Sequence, residues 1–134
     1  MTKEDLINIA KNAKKNALAT TTGYKVGAAL LTKSGNVYIG CNVEEYSILA
    51  LSNCAERVAI QNAISCGERE FEAIAVVGGM EDSIDDTLTP CAVCLQYMLD
   101  MCSNIEVISY INGKLTSHVL NYFLNVPFEL KNKR

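Results

Sequence analysis

The sequence predicts an α/β fold, a three-layer α/β/α sandwich with a mixed five-stranded sheet. Three observations predict it. Segments of helical periodicity alternate with short apolar runs. The runs at 26–31 and 72–77 have almost no polar alternation, which is typical of central strands covered on both faces. Two pairs of runs are joined by turn signals, which make neighbouring strands antiparallel. One sheet with helices on both faces satisfies all three observations.

The first elements follow from the spacing of apolar residues. Thr2 with Asp5 is a plausible helix start, and apolar side chains then recur at helical spacing to about Ala19. Strands are predicted at 26–31 and 37–41, on either side of a polar turn, so the two form a hairpin.

The middle of the chain is predicted to contain a helix, a strand and a second helix. The first helix runs from Cys54 to Gly67, and Gly78-Gly79 ends the strand 72–77. Polar residues at 81–89 predict a surface loop before the helix 90–102.

The last elements are a hairpin and a short helix. Asn112-Gly113 is a strong hairpin signal between the runs 105–111 and 115–117. A short helix is predicted at 118–124, and residues 131–134 are expected to fray.

Length and composition predict a single globular domain over residues 1–134. Hydrophobic residues make up 49% of the chain and charged residues 20%, which excludes a disordered chain. The net charge of -3 and the scattered basic residues do not provide the basic stripe that a nucleic-acid binder needs. A small, nearly neutral ligand is the expected partner.

The first residues lack the pattern of a signal peptide, and no apolar run approaches the ~20 residues of a membrane helix. The sequence therefore predicts a cytoplasmic protein that does not interact with membranes.

Three thiols and one carboxylate occur in two short motifs, Cys54-x-Glu56 and Cys91-x-x-Cys94. A catalytic zinc keeps three protein ligands and leaves the fourth position for water, whereas a structural zinc is closed by four. Cys54, Cys91 and Cys94 would supply three ligands, and Glu56 would be the base that moves protons beside the metal. The sequence therefore predicts one Zn²⁺ per chain.

Both motifs fall at predicted helix starts, where backbone N–H groups favour thiolates. Ser52 or Asn53 is expected to cap one helix, and Thr89 with Pro90 at the first helical position is expected to start the other.

The cysteines allow two other interpretations. A closed structural zinc would need a fourth ligand such as Cys41, Cys66, Cys102 or His118, none of which has partner spacing. A redox dithiol would leave the Cys54-x-Glu56 motif unexplained. Without such roles, the three remaining cysteines are expected to be free thiols and His118 a surface residue at the start of the last helix.

Further motifs follow one another in order along the chain. They are Val26-Gly27-Ala28-Ala29-Leu30, Gly40-Cys41-Asn42-Val43-Glu44, Gly67-Glu68-Arg69-Glu70-Phe71 and, near the end, Gln96 and Phe128. With the two metal motifs, they resemble the zinc-dependent cytidine deaminases over nearly the whole chain, specifically the small homotetrameric type with three cysteine ligands. The resemblance implies the cytidine deaminase-like sandwich and a homotetramer that acts in pyrimidine salvage.

The resemblance also implies the chemistry, which is hydrolytic deamination of cytidine and deoxycytidine to uridine and deoxyuridine with release of ammonia. Zinc held by the three cysteines would activate water, and Glu56 would pass its proton to N3 and then to the leaving amine. Arg57 matches a residue that hydrogen-bonds the ligand thiolates and offsets their charge.

Substrate contacts are implied for five residues. Asn42 and Glu44 match the pair that binds the ribose 3'-hydroxyl, and Ala55 matches a backbone contact to the base. Tyr24 stands where the family usually has a phenylalanine against the base. Phe128 matches a residue that reaches into a neighbouring subunit's site.

The sequence departs from the family pattern mainly after Glu44. Nine residues separate Glu44 from Cys54, whereas the family has eight, and this loop lines the pocket in relatives. Leu95 replaces a usual arginine, and Asn125 stands where proline is common. The altered loop leaves open a deaminase of the same fold acting on another aminated heterocycle, such as a blasticidin S-like compound. The alternative from a different class is a non-catalytic zinc-stabilised binding module.

Overall fold

A computed structural model describes residues 1–131 of the chain. Five strands form one sheet in the spatial order 37–41, 24–32, 71–80, 106–111 and 114–119. The strands 71–80 and 106–111 are parallel, and the other neighbours are antiparallel. The predicted mixed five-stranded sheet is confirmed. The elements are α1 Lys3–Lys14, β1 Tyr24–Thr32, β2 Val37–Cys41, a 3₁₀ turn Leu49–Leu51, α2 Ala55–Ser65, β3 Phe71–Met80, α3 Ala92–Cys102, β4 Glu106–Ile111, β5 Lys114–Val119 and α4 Leu120–Phe123.

Helices cover both faces of the sheet. On one face, Leu6 and Ile7 of α1 belong to an apolar cluster with Ala75 and other small strand residues. On the other face, Ile60 of α2 and Met98 of α3 belong to a cluster with the central strands. The predicted three layers are therefore present, and α2 and α3 share one layer. None of the helices within residues 1–131 is both long and apolar enough to span a bilayer.

The first helix is shorter than predicted. The capping box of Thr2 and Asp5 is formed, but α1 ends at Lys14 and not near Ala19. Leu18 instead bridges to Val43 in extended conformation, and its backbone N–H donates to the Asn42 carbonyl. Helical spacing of apolar residues continues past Lys14, but Leu18 is 51% exposed and pairs with Val43 as a β-bridge instead of extending the helix.

Both predicted sets of helix caps were wrong. Cys54 is the N-cap of α2, and Cys91 is the N-cap of α3. Asn53 pairs with Val43 as a β-bridge and so precedes the cap. Pro90 lies outside α3, which begins at Ala92. The two thiols therefore lie at the helix ends themselves.

Two of the later strands, β3 and β5, are longer than predicted. Gly78 and Gly79 lie within β3 and do not end it. A Cβ at Gly79 would lie 2.3 Å from the Ser83 carbonyl oxygen, so glycine lets the following loop fold back onto the strand. His118 lies in β5 and not at a helix start, while the turn at Asn112-Gly113 is confirmed. The fraying expected from position 132 onward lies outside the described residues.

Close contact between β2 and α2 places the start of that helix. A Cβ at Gly40 would lie 2.3 Å from the Ala55 carbonyl oxygen and 2.5 Å from the Ala59 nitrogen. Only glycine permits this approach, because backbone atoms cannot move aside as a flexible side chain can. The first turn of α2, which begins after Cys54, is thereby fixed against the sheet.

Candidate metal centre and pocket

The starts of α2 and α3 bring three thiols together. Cys54 and Cys91 cap the two helices, Cys94 lies in the first turn of α3, and their sulfur atoms all lie within 4.8 Å of one another. Tetrahedral zinc with Zn–S bonds of ~2.3 Å would separate sulfurs by ~3.8 Å, so small side-chain movements would close the trio around the ion. The three predicted ligands therefore fit a zinc ion.

Among residues 1–131, no fourth protein ligand joins this cluster. In this part of the chain, the three cysteines form the one cluster of His, Cys, Asp or Glu side chains whose ligand atoms all lie within 4.8 Å of one another. His118 is stacked on Tyr122 at the far end of the sheet, in β5. Three ligands without a fourth are typical of a zinc site that does chemistry.

The thiols differ in their affinity for protons. The pKa of Cys54 is lowered to about 5, chiefly because the Cys94 thiol donates a hydrogen bond to it and also because Arg57 lies beside it. The pKa of Cys94 is raised, because that thiol is the donor and is buried. The Arg57 Nη2 atom donates to the Cys54 sulfur at 3.5 Å. The guanidinium thus contacts the Cys54 thiol, and the offsetting of thiolate charge by Arg57 stays a prediction.

Glu56 lies at the second position of α2 and is 5% exposed. Burial raises the pKa of its carboxyl to about 7, and the charge of Cys54 adds to the effect. A carboxyl group with a pKa near neutrality can both take and release a proton at physiological pH. Glu56 and Cys54 line the same pocket although they are two residues apart, because both lie at the helix end.

A pocket of about 570 Å³ contains the trio and Glu56. Four of the five predicted substrate residues line it, namely Tyr24, Asn42, Glu44 and Ala55. The long loop after Glu44 lines it too, through Leu49, Ala50, Ser52 and Asn53. The longer loop of this chain therefore borders the pocket, as the corresponding loop does in relatives.

Asn42 and Glu44 are joined to the start of β1. The Asn42 amide accepts from Val26 N at 2.8 Å and donates to the Tyr24 carbonyl at 2.8 Å. The Glu44 carboxylate accepts from the backbone N–H groups of Thr21 and Thr22, and from the Thr22 hydroxyl at 2.6 Å. These bonds lower the pKa of Glu44, so it is a carboxylate at neutral pH.

Phe128 lies away from the pocket of its own chain. Its side chain is 70% exposed, and its backbone is held by Gln96, whose amide both donates to the Phe128 carbonyl at 2.8 Å and accepts from its N–H at 3.0 Å. Such a side chain cannot contribute to this chain's own site.

Sequence reasoning missed the contribution of the 81–89 loop. Leu88 and Thr89 line the pocket, and the Asp85 carboxylate accepts from the Tyr24 hydroxyl at 2.7 Å. The polar composition of the loop indicated a surface segment, and no spacing signal links Asp85 with a residue 61 positions earlier.

Comparisons with known proteins agree with this site. The family model described as the cytidine and deoxycytidylate deaminase zinc-binding region matches residues 1–110. A cytidine deaminase of Sporosarcina psychrophila is 40% identical over 100 residues, which are 75% of this chain and 70% of that protein. A blasticidin-S deaminase of Bacillus cereus is 29% identical over 128 residues, which are 92% of this chain and 90% of that protein.

Solved structures show the same architecture. The 1.6 Å crystal structure of cytidine deaminase from Burkholderia pseudomallei matches with a TM-score of 0.85 and 39% identity, over 96% of this chain and 100% of that one. With a family model that spans most of the sequence, these matches show that the chain belongs to the zinc-binding cytidine and deoxycytidylate deaminases.

Proposed function

We propose that the chain is a single catalytic domain, residues 1–134, that deaminates cytidine and deoxycytidine to uridine and deoxyuridine. The observation that carries the proposal is the position of Glu56 in the same pocket as the three clustered thiols. The 40% identity to a cytidine deaminase supports the choice of substrate. Such an enzyme would act in pyrimidine salvage in the cytoplasm.

Zinc bound by Cys54, Cys91 and Cys94 would supply the Lewis acid that activates water for attack on C4 of the base. Glu56 would accept the water proton and deliver it to N3, and would then carry the second proton to the amine that leaves as ammonia. Its raised pKa suits it for both directions of transfer. One water is consumed and one ammonia released, so no redox partner is needed.

Charge balance gives Arg57 its role. Three thiolates around Zn²⁺ leave a net charge of -1, which opposes ionisation of water. The Arg57 guanidinium contacts Cys54, and its Nε atom is buried with no hydrogen-bond partner among residues 1–131. We assign Arg57 to offsetting the thiolate charge, together with the N-termini of α2 and α3.

The nucleoside would be bound by residues from β1, from the segment after β2 and from the start of α2. Asn42 and Glu44 would bind the 3'-hydroxyl of the sugar, the Ala55 backbone would contact the base, and the Tyr24 ring would face it. The placement of all four residues in one pocket supports this assignment. The Glu44 carboxylate would serve as a hydrogen-bond acceptor for the hydroxyl.

A homotetramer would complete the site with a partner's Phe128. Exposed apolar side chains support this proposal. The backbone of Phe128 is held by Gln96 while its ring is exposed, and exposed clusters of large apolar side chains are typical of protein–protein interfaces. Two groups of such side chains are exposed, Tyr46, Ile48, Leu49 and Leu51 in the loop after Glu44, and Val126, Phe128 and Leu130 near the end.

Substrate choice is tested by ammonia release from cytidine, deoxycytidine, cytosine, cytidine 5'-monophosphate and blasticidin S. We expect turnover of both nucleosides, and kcat/KM for cytidine at least ~10² above that for the monophosphate, because juxtaposed like charges cost several kcal/mol. The phosphate group would meet the carboxylates of Glu44 and Glu56, which line the pocket. Arg57 is the one cation among the described lining residues, and it already donates to the Cys54 sulfur. Preferred turnover of the monophosphate would contradict the assignment.

A second candidate is deamination of another aminated heterocycle. It is favoured by the blasticidin-S deaminase relative, whose match extends over 92% of this chain, and by the nine-residue loop after Glu44. Turnover of blasticidin S in the same assay, without turnover of cytidine, would select this candidate and exclude a ribose role for Asn42 and Glu44.

A further inference from the structure

Tyr24 is held at each of its polar atoms. Its backbone N–H donates to the Thr22 hydroxyl at 3.0 Å, and its carbonyl accepts from the Asn42 amide at 2.8 Å. Its phenol donates to the Asp85 carboxylate at 2.7 Å. The backbone is thus fixed by a residue just before β1 and one just after β2, whereas the ring is fixed from a different segment, the loop after β3.

The Tyr24 ring lies over a glycine. A Cβ at Gly78 would lie 2.9 Å from the ring carbon Cε2 and from the phenol oxygen, and 3.0 Å from Cδ2 of Leu88. Tyr24 and Leu88 both line the pocket, so the ring and the leucine form one wall above Gly78. The absence of a side chain at Gly78 leaves the room into which the ring settles.

Asp85 connects this wall to the strand beneath it. Its backbone N–H donates to the Gly78 carbonyl at 2.8 Å, while its side chain accepts from the phenol. Burial and the neighbouring carboxylate raise the pKa of Tyr24, so the phenol remains protonated and keeps donating at neutral pH. Asp85 therefore anchors both the 81–89 loop and the Tyr24 ring.

From these contacts we infer that Asp85 is a positioning residue for the substrate pocket. By accepting a hydrogen bond from the Tyr24 hydroxyl, Asp85 holds the Tyr24 ring in the orientation in which the pyrimidine ring would lie against it. This rests on the proposed deaminase function and adds the 81–89 loop to the substrate site. A phenylalanine at position 24 would have no hydroxyl to hold, so Asp85 matters only while Tyr24 is a tyrosine.

The test is a double-mutant cycle on Asp85→Ala and Tyr24→Phe. We expect Asp85→Ala to raise KM for cytidine roughly three- to tenfold with kcat within about twofold, because a hydrogen bond that orients the wall affects binding and not proton transfer. In the Tyr24→Phe background, Asp85→Ala should change KM by less than about twofold. Asp86→Ala is the matched control in the same loop, since the Tyr24 hydroxyl donates to Asp85 and not to Asp86.

Asp85→Asn keeps an acceptor oxygen for the phenol, so it should restore KM to within about twofold of the unmodified chain. Binding of uridine, measured by calorimetry, should weaken in Asp85→Ala by the same factor as KM rises, and this needs no turnover. Equal effects of Asp85→Ala in both backgrounds, or an unchanged KM, would overturn the inference. If the unmodified chain did not turn over cytidine, but Asp85→Ala still weakened the binding of uridine, the proposed function alone would be contradicted.

Discussion

Replacing Glu56 with glutamine is expected to lower kcat for cytidine by ~10² to 10⁴-fold or more, because general acid-base catalysis contributes that much. Glutamine keeps the size of the buried side chain, but it can neither take the proton from water nor give it to N3. Zinc content should stay at one per chain, because Glu56 is not part of the thiol cluster. Stopped assays with a large excess of enzyme would measure the residual rate.

Glu72→Gln is the control for this change. Glu72 is an exposed glutamate in β3, and its replacement should leave kcat unchanged. If Glu56→Gln retained full activity, the proton-transfer role would be wrong. If neither the unmodified chain nor the variant turned over any of the aminated substrates, while both kept zinc, a zinc-stabilised binding module would be the better description.

Replacement of Cys54, Cys91 or Cys94 by serine is expected to reduce both zinc content and activity to background. A serine hydroxyl is a poor zinc ligand, and the free energy of metal binding contributes to folding. Each variant should therefore also unfold at a lower temperature than the unmodified chain. Metal analysis after dialysis against a chelator, together with calorimetry, would measure both effects.

Cys66→Ser is the matched control for the thiols. Cys66 is an exposed free cysteine at the C-terminal end of α2 and does not belong to the cluster. We expect it to keep one zinc per chain and full activity. A variant at Cys54, Cys91 or Cys94 that still held stoichiometric zinc would remove that cysteine from the ligand set.

The metal cluster could be predicted because its signal is local. Cys54 and Glu56 are two residues apart, Cys91 and Cys94 are three apart, and each pair needs only the first turn of one helix to present it. The caps could not be predicted in the same way. Cysteine is not a usual N-cap, so the polar residues next to each motif were chosen instead.

Features that depend on distant contacts were predicted less well. The end of α1 was placed too late because Leu18 pairs with Val43, a contact that helical spacing does not show. His118 was assigned to a helix although its strand pairing with Val107 extends β5. Asp85 was missed because polar composition describes a loop but not which pocket side chain the loop holds.

X-ray absorption at the zinc edge tests the central claim most directly. For the zinc-loaded chain, the account predicts three sulfur neighbours at ~2.3 Å and one lighter oxygen or nitrogen neighbour at ~2.0 Å. That result would mean that the thiols of α2 and α3 bind zinc and leave one position open for water. Four sulfur neighbours, or fewer than three, would contradict the account.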